Sequence, residues 1–359
     1  MFSYLSRTPI RSIQLLHRYS YCQDSLETIQ KNHLLWYNKN QKKGKNMHYS
    51  DFGLADTKTL LKRAMHEGYA IPAFNFYNME TLQAILKAAQ ISQSPVILAV
   101  SESALEYMGG DILMGLIRGA QYKRGQIALH LDHGHSFGIC KYAADLGFSS
   151  VMFDGSALPL DKNISESRRI ADYVHKFGIS LETELGILAG SEDKNTKSKK
   201  HLFTAPELVK DFVKQTKTDS LAVAIGTTHG AYKRKSAKES LRFDILEQIA
   251  KNIPNTPLVL HGASSIPQKY VQQINKFGGD IKNACGTSPA QIRRAIQMHI
   301  AKVNVDSDSR FAFTAAVRKT LATKPEIFDP RAYLSNGIDE MTKNCIDEIQ
   351  NIMGSGYKF

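Results

Sequence analysis

The feature that most constrains the fold of this chain is a series of eight short apolar runs, nearly all of which end beside a polar residue capable of chemistry. The runs are Ala70–Phe74, Val96–Val100, Ile127–Leu131, Ser150–Phe153, Ile179–Thr183, Leu221–Ile225, Leu258–Leu260 and Lys302–Val305. The polar residues at their carboxyl ends are Asn75, Ser101, Asp132 with His133, Asp154, Glu184, His229, His261, and Asn304 with Asp306. A (β/α)₈ barrel opens the loops after its parallel strands on one face, which collects such residues. The pattern therefore predicts an α/β fold, a (β/α)₈ TIM barrel with one reactive face.

Segments with an apolar period of 3.6 residues accompany the runs, as the outer helices of a barrel require. Gly68, Gly147 and Gly178 each follow such a segment, where a left-handed glycine commonly ends a helix. Thr204 followed by Pro206 predicts the start of another helix. The predicted helices are Lys58–Glu67, Met79–Ile91, Phe137–Ala144, Glu166–Phe177, Ala205–Lys214, Asp244–Asn252 and Ile338–Met353.

The stretch Gly190–Lys200 departs from this alternation because it is polar, charged and without periodicity. A long mobile loop on the catalytic face of a barrel is typical of a lid or of a segment that carries a catalytic group. The alternative is a solvated insertion without a role in catalysis.

Composition agrees with a single barrel. The chain has 359 residues, of which 42% are hydrophobic, and no apolar stretch reaches the roughly 18 residues that a membrane span needs. We therefore expect no membrane partner. The four cysteines lie far apart in the sequence, which favours a reducing compartment over a disulfide framework.

Half of the formal net charge of +12 falls in residues 1–46, which hold eight basic and two acidic residues. The remaining excess of positive charge suits a cleft that binds phosphorylated anions. No Lys/Arg run with interleaved aromatic residues occurs beyond residue 46, so we expect no nucleic-acid partner.

Residues 1–46 form an N-terminal extension that precedes a barrel domain at residues 47–359. The first 23 residues contain three arginines and no acidic residue, and apolar residues recur near helical spacing at Ile10, Ile13 and Leu16. This composition is typical of an organelle transit peptide and predicts a mitochondrial location. The alternatives are an untargeted tail on a cytoplasmic protein and a start codon assigned too early.

Three histidines, His133, His229 and His261, follow separate runs, and each precedes a glycine. Three imidazoles that leave one coordination position open make a catalytic zinc site, in which the open position can polarise a carbonyl oxygen. The pattern therefore predicts a metal centre on the reactive face.

Five motifs in this order resemble those of the class II, metal-dependent fructose-bisphosphate aldolases: LHLDHG, LETELGILAG, AIGTTHGAYK, VLHGASSIP and KVNVDSDSR. The resemblance covers roughly residues 47–359. Gly278–Asp280 and Phe328–Leu334 are more similar to the fructose-bisphosphate branch than to the tagatose-bisphosphate branch. The tripeptide Ala189–Ser191 departs from a glycine pair seen in many relatives.

The resemblance implies a metal centre with two catalytic acids. His133, His229 and His261 match the ligands of one Zn²⁺ ion per subunit, and Glu184 matches a carboxylate that can hold the metal in an alternative position. Asp132 matches the aspartate that exchanges a proton with the C4 oxygen, and Glu192 matches a mobile acid that handles the C3 proton. The family pattern also places Glu182 in the outer shell of the metal.

The resemblance further implies two phosphate pockets joined by contacts to the sugar hydroxyls. Residues for the C1 phosphate are Gly230, Lys233, Gly262 and Ser264. Asn304 and Asp306 match residues that bind ketose hydroxyls, and Asn75 matches an asparagine of the same cleft. Contacts to the C6 phosphate are Ser101 and Arg310, and in the family the arginine reaches across a dimer interface.

The implied reaction is reversible cleavage of fructose 1,6-bisphosphate, a step of glycolysis and gluconeogenesis, by a homodimer or a dimer of dimers. Zn²⁺ is the expected cofactor, with a monovalent cation as a further candidate. The alternatives are an aldolase for tagatose 1,6-bisphosphate or another ketose bisphosphate, a phosphosugar-binding barrel without turnover, and a metal-dependent hydrolase.

Several further charged residues can be interpreted from the sequence. Asp154 is either a structural carboxylate at the barrel floor or a group that supports the site. Asp308 and Arg331 are interpreted as salt-bridged surface residues. Lys141, Lys162 and Lys302 do not indicate a Schiff-base mechanism, because none closes a predicted strand.

Overall fold

A computed structural model describes residues 48–192, 196–198, 202–230 and 241–359. Eight of its strands are parallel and close into a barrel in the order β1-β11-β10-β8-β5-β4-β3-β2. These strands are β1 (Ile71–Asn75), β2 (Val96–Ser101), β3 (Ile127–Gly134), β4 (Ser150–Phe153), β5 (Ser180–Leu185), β8 (Ser220–Val223), β10 (Leu258–Leu260) and β11 (Ile300–Val305). All eight predicted runs form barrel strands, so the predicted (β/α)₈ fold is confirmed.

Helices precede, connect and follow the barrel strands along the described part of the chain. They are Thr57–Glu67, Met79–Ser92, Glu102–Met108, Gly110–Gly119, Phe137–Leu146, Leu160–Val174, Val209–Thr216, Phe243–Asn252, Gln268–Lys276, Pro289–Ile296, Ser307–Thr323 and Pro330–Asp347. Shorter turns of other helical types follow at Tyr49–Phe52, His175–Phe177 and Glu348–Met353. No described helix combines the length and the apolar character needed to cross a bilayer.

Capping residues set the ends of several helices. The side chain of Asp56 accepts the N–H groups of Lys58 and Thr59 at the start of the helix Thr57–Glu67. Gly68 ends that helix with a φ of 72°, in the left-handed region that suits glycine. Gly147, with a φ of 100°, ends the helix Phe137–Leu146 in the same way. The predicted glycine caps are thus confirmed, and Gly178 caps the short turn His175–Phe177.

The predicted helix start at Thr204 is wrong. The helix begins at Val209 instead, after a turn, and the Thr204 hydroxyl is used elsewhere. It donates to the carbonyl of Leu185 at the end of β5 and accepts the N–H of Ala224 just past β8, at 2.8 Å. Because this hydroxyl joins two neighbouring strands, it is not available as a helix cap.

The helix Thr57–Glu67 closes the amino-terminal end of the barrel. Leu61, Ala64 and Met65 on its inner face are buried in one apolar cluster with Ile71 of β1 and other strand residues. Removing these side chains from water contributes about 25 cal/mol for each Å² of apolar surface buried. Chemistry is consequently confined to the opposite, carboxyl-terminal end.

A separate three-stranded sheet lies on the catalytic side, formed by β6 (Ala189–Glu192), β7 (Thr196–Ser198) and β9 (Thr228–His229). β6 pairs antiparallel with β7 and parallel with β9, where Gly190 is opposite His229. Residues 190–192 and 196–198 of the stretch Gly190–Lys200, interpreted from the sequence as a loop, thus belong to strands. Backbone pairing forms these strands although their amino-acid sequence lacks the apolar alternation that marks a strand.

Candidate active site

Two site residues lie at the end of the third barrel strand, where its pairing with β4 is irregular. Asp132 and His133 lie within β3 rather than after it, and the register with β4 shifts between Leu131 and Gly134. His133 adopts a φ of 49°, which is uncommon for a residue with a side chain and typical of functional positions. A shift of this kind redirects side chains relative to a regular strand.

The Asp132 carboxylate is fully buried and held by two amides from neighbouring strands. Nδ2 of Asn75, at the end of β1, donates to Oδ2 of Asp132 at 2.8 Å. Nδ2 of Asn304, on β11, donates to Oδ1 at 2.8 Å. The side-chain oxygens of both asparagines are buried and accept no hydrogen bond in the described structure. Sequence and structure thus agree in bringing these three residues together.

The three predicted metal ligands converge beside Asp132. Nε2 of His133 lies 3.0 Å from Nδ1 of His261, and Asp132, His133 and His261 form a group whose ligand atoms all lie within 4.8 Å of one another. The ring centroid of His229 is 5.0 Å from that of His133 and 6.3 Å from that of His261. The histidines come from β3, β9 and the residue that follows β10.

Each of two histidines directs its other ring nitrogen at a carboxylate. Nδ1 of His133 lies 3.0 Å from Oδ2 of Asp154, and Nε2 of His261 lies 2.8 Å from Oε1 of Glu182. Burial and the neighbouring His133 lower the pKa of His261, so that its ring is neutral. Since an ionised carboxylate only accepts, the proton of His261 is on Nε2 and its Nδ1 lone pair faces His133. This arrangement of a histidine between a carboxylate and a ligand position is the usual one for metal-binding histidines.

Asp154 supports His133 and lies at the carboxyl end of β4, away from the barrel floor. Burial alone would raise the pKa of Asp154, but hydrogen bonds from His133 and Ser156 outweigh burial and lower the pKa. Asp154 is therefore an ionised acceptor for the His133 ring. Glu184 is buried on β5, and its carboxylate forms a second group of candidate ligands with His133 and Asp154, whose atoms also lie within 4.8 Å of one another.

A buried ion pair lies beneath the histidines in the barrel interior, and the sequence did not indicate it. Nζ of Lys302 donates to both carboxylate oxygens of Glu182, at 2.9 and 2.8 Å, and contacts Nε2 of His130 at 3.0 Å. Burial would raise the pKa of Glu182, but the Lys302 charge and the His261 hydrogen bond outweigh it and lower the pKa. Burial and the Lys302 charge lower the pKa of His130 well below its usual value, so its neutral ring accepts from the lysine.

We expect Lys302→Met to destabilise the protein by about 3–5 kcal/mol, because the substitution leaves the buried Glu182 carboxylate without its cation. Urea unfolding followed by circular dichroism measures this change. The matched control is Lys251→Met, because Lys251 forms an exposed pair with Glu247 at 2.7 Å, for which we expect almost no change. Equal stability of the two variants would contradict the role of Lys302.

The residues predicted for the C1 phosphate lie on two adjoining backbone segments. Gly262 has a φ of 61°, and a Cβ there would lie 2.7 Å from the carbonyl group of Thr228. Only glycine fits this close approach, which holds the segment after β10 against β9. Gly230 also has a positive φ, of 80°, and Oγ of Ser264 accepts the backbone N–H of Asp306 at 3.4 Å. Lys233 lies outside the described residues.

Contacts predicted for the sugar hydroxyls and the C6 phosphate lie at the rim of the same face. The Asp306 carboxylate accepts a hydrogen bond from Nε of Arg310 at 2.8 Å, and the guanidinium stacks over the Tyr77 ring, 4.2 Å from its centroid. No motif or spacing in the sequence had indicated Tyr77 as a residue of the site. The Ser101 hydroxyl caps the helix Glu102–Met108 by accepting the N–H of Ala104 at 3.3 Å.

Two predictions concern residues at the edge of the site. Glu192 lies at the end of β6, the strand that pairs with β9, and its side chain is outside the described part of the structure. The interpretation of Asp308 as a surface residue is wrong, because its side chain is fully buried. Arg331, in contrast, is exposed and forms an ion pair with Asp329 at 2.8 Å, as the sequence predicted.

An enclosed carboxylate beside three imidazoles, at the carboxyl ends of barrel strands, defines a class of metal-dependent barrel enzymes. The sequence matches the class II fructose-bisphosphate aldolase profile over residues 55–357. The chain belongs to the class II fructose-bisphosphate aldolase family, and its activity is that of a carbon–carbon lyase.

Individual relatives agree with this membership. The chain is 44% identical over 326 residues to the fructose-bisphosphate aldolase of Treponema pallidum, which covers 86% of this chain and 98% of the relative. It is 42% identical over 309 residues to that of Giardia intestinalis, covering 85% of this chain and 94% of the relative. The crystal structure of the YdjI aldolase from Escherichia coli K12 superposes with a TM-score of 0.67 at 26% identity, covering 85% of this chain and 99% of that one.

Proposed function

We propose that the chain is a zinc-dependent aldolase that reversibly cleaves fructose 1,6-bisphosphate to dihydroxyacetone phosphate and glyceraldehyde 3-phosphate. The observation that carries this proposal is the 3.0 Å approach of His133 Nε2 to His261 Nδ1, with a carboxylate on the far side of each ring. Neutral imidazoles favour Zn²⁺, and His229 would be the third ligand, with Glu184 as an alternative one. Bound there, the ion supplies Lewis-acid stabilisation of the negative charge that develops on the ketose C2 oxygen.

Asp132 would accept the C4 hydroxyl proton as the C3–C4 bond breaks, and would return it in the condensation direction. Its two amide hydrogen bonds fix the carboxylate in one orientation, so no rotation is needed before proton transfer. Complete burial strengthens the interaction of this charge with nearby groups. The carboxylate is thereby prepared for general-base catalysis.

The side-chain oxygens of Asn75 and Asn304 would accept hydrogen bonds from substrate hydroxyls. Both oxygens are buried and accept no hydrogen bond in the described structure. A buried polar atom left without a hydrogen bond costs free energy, which a bound hydroxyl would recover. Each amide would therefore bridge the substrate and Asp132.

Binding of both phosphates would hold the ketose across the site, so that binding energy remote from the reacting carbons orients them. The segments around Gly230 and Gly262, together with Ser264 and Lys233, would bind the C1 phosphate. Ser101 and Arg310 would bind the C6 phosphate. Glu192 would protonate the C3 carbon, a role that rests on the family resemblance and on the pairing of its strand with β9.

The sugar specificity can be tested by measuring cleavage of fructose and tagatose 1,6-bisphosphate with and without EDTA. We expect the fructose epimer to be cleaved faster, EDTA to abolish cleavage, and added Zn²⁺ to restore it. Faster cleavage of the tagatose epimer would assign the chain to that branch. Binding of metal without cleavage of either sugar would indicate a phosphosugar-binding protein, and a borohydride-trapped lysine adduct would contradict the metal mechanism.

Three further proposals concern the cellular setting. We propose a homodimer, since the family's contact to the C6 phosphate uses an arginine from a second subunit. A role in glycolysis and gluconeogenesis follows from the substrate. The mitochondrial targeting proposed for residues 1–46 is supported by their basic, acid-poor composition.

A further inference from the structure

The residues 262–266 form a short segment after β10 that is enclosed by backbone on two sides. Gly262 lies against the carbonyl group of Thr228, as described above. On the other side, a Cβ at Gly286 would lie 2.2 Å from the carbonyl carbon of Ser265, so only glycine permits the contact. The N–H of Thr287 donates to the Ser264 carbonyl at 2.9 Å. The segment 262–266 thus has little freedom to shift.

The end of this segment has a strained backbone. Ile266 is buried and has a φ of 51°, a left-handed conformation that a β-branched side chain strongly disfavours. Such a conformation persists only where surrounding contacts impose it, and strained residues of this kind concentrate at ligand sites. Some neighbouring group must therefore hold Ile266 in place.

Asp308 supplies that contact from the first turn of the helix Ser307–Thr323. Its side chain is fully buried, and Oδ2 accepts the backbone N–H of Ser265 at 2.8 Å. The other oxygen, Oδ1, accepts the N–H of Ile266. One carboxylate therefore binds two successive N–H groups and stabilises the left-handed turn between them.

The buried Glu348 side chain interacts with the same carboxylate. Burial, and next the charge of Asp308, raise the pKa of Glu348 well above its usual value, so Glu348 is protonated and can donate to Asp308. Oγ of Ser265 also lies 3.4 Å from Oε1 of Glu348. Glu348 therefore helps to fix both the Asp308 carboxylate and Ser265 of the segment.

We propose that Asp308 is a positioning residue for phosphate binding: by holding Ser265 and Ile266, it orients the segment 262–266 so that Gly262 and Ser264 present their donors to the C1 phosphate. The inference rests on the proposed placement of that phosphate. Asp308 itself touches no substrate in this scheme. Its loss should therefore weaken binding of the phosphate in the ground state and the transition state alike.

The test is Asp308→Asn in the metal-loaded, full-length protein. The amide retains the size of the carboxylate but can accept only one of the two N–H groups. We expect KM for fructose 1,6-bisphosphate and the inhibition constant of inorganic phosphate to rise about tenfold, with kcat changed much less. Metal content, measured by plasma emission, should equal that of the parent protein. Unchanged KM and phosphate inhibition in a folded Asp308→Asn variant would overturn the proposal.

Two controls separate this proposal from its premise. Asp339→Asn makes the same chemical change at an exposed aspartate that pairs with Lys87 at 2.8 Å, so it should leave KM and phosphate inhibition unchanged, and a tenfold weakening there would overturn the assignment to Asp308. Ser264→Ala tests the phosphate placement itself and should weaken phosphate inhibition. If it does not, the placement of the C1 phosphate is wrong and the role of Asp308 fails with it.

A second variant covers the case in which Asp308→Asn does not fold. Gly286→Ala displaces the same segment from its other side and leaves Asp308 intact. A rise in KM and in the phosphate inhibition constant at similar kcat would support control of phosphate binding by the position of the segment. Unchanged constants would overturn it.

Discussion

His261→Ala is expected to release the metal and to lower the rate of aldol cleavage about a thousandfold or more, because several kcal/mol of electrostatic stabilisation depend on the metal. His261 is fully buried between Glu182 and His133, so neither water nor a surface side chain can replace its nitrogen easily. Metal content per subunit and kcat measure the two effects. Circular dichroism checks that the barrel stays folded.

The control for this variant is His175→Ala. His175 binds Asp219 at 2.7 Å near the amino-terminal ends of β5 and β8, on the face opposite to the site. We expect this variant to retain both metal and activity. A His261→Ala protein that keeps one metal ion per subunit and full activity would show that the metal binds elsewhere.

Asp132→Asn is expected to lower kcat by about 10²–10⁴, the usual contribution of general acid–base catalysis, while metal content and phosphate inhibition stay the same. The substitution is nearly isosteric. Asn75 and Asn304 each donate one hydrogen bond to Asp132, and each side-chain oxygen accepts none from the protein. If one of these amides flips, its oxygen can accept from the amide introduced at position 132, and its NH₂ group can donate to the substrate hydroxyl oxygen instead. A lower kcat would therefore show that proton transfer is lost, because the local structure around position 132 is kept.

Asp219→Asn is the matched control, since Asp219 is another largely buried aspartate but lies at the opposite end of the barrel. It accepts the N–H of Leu181 at 2.9 Å and pairs with Lys58. We expect lower stability and unchanged kcat. If Asp132→Asn retains its kcat, a different group carries the C4 proton.

The barrel could be predicted from the sequence because strands buried on both sides read as continuous apolar runs. The reactive face followed from the polar residues at the strand ends, such as Asp132 and His261. Both signals are local, and the closed topology converts them into a three-dimensional arrangement. The strands extend beyond the predicted runs where the ladder includes polar residues, as it does at Glu184 on β5.

Contacts between distant strands could not be predicted in this way. Lys302 was interpreted as the residue that opens a run, yet it lies inside β11 and binds Glu182 of β5. Spacing along one strand carries no information on which charge lies across the barrel. Asp308 was assigned to the surface for the same reason, because its partners are backbone N–H groups, which have no signature in sequence.

The order of strands around the barrel also bears on how the protein matures. β1 and β11 are neighbours, although they are the first and last barrel strands along the chain. β11 carries Lys302, which pairs with Glu182, and Asn304, one of two amides on Asp132. A nascent chain that has emerged only as far as β10 would hold both carboxylates without these partners. Because pairing of the first and last barrel strands is a late, non-local step, ring closure and charge compensation coincide, and the active site forms only once β11 has joined the barrel.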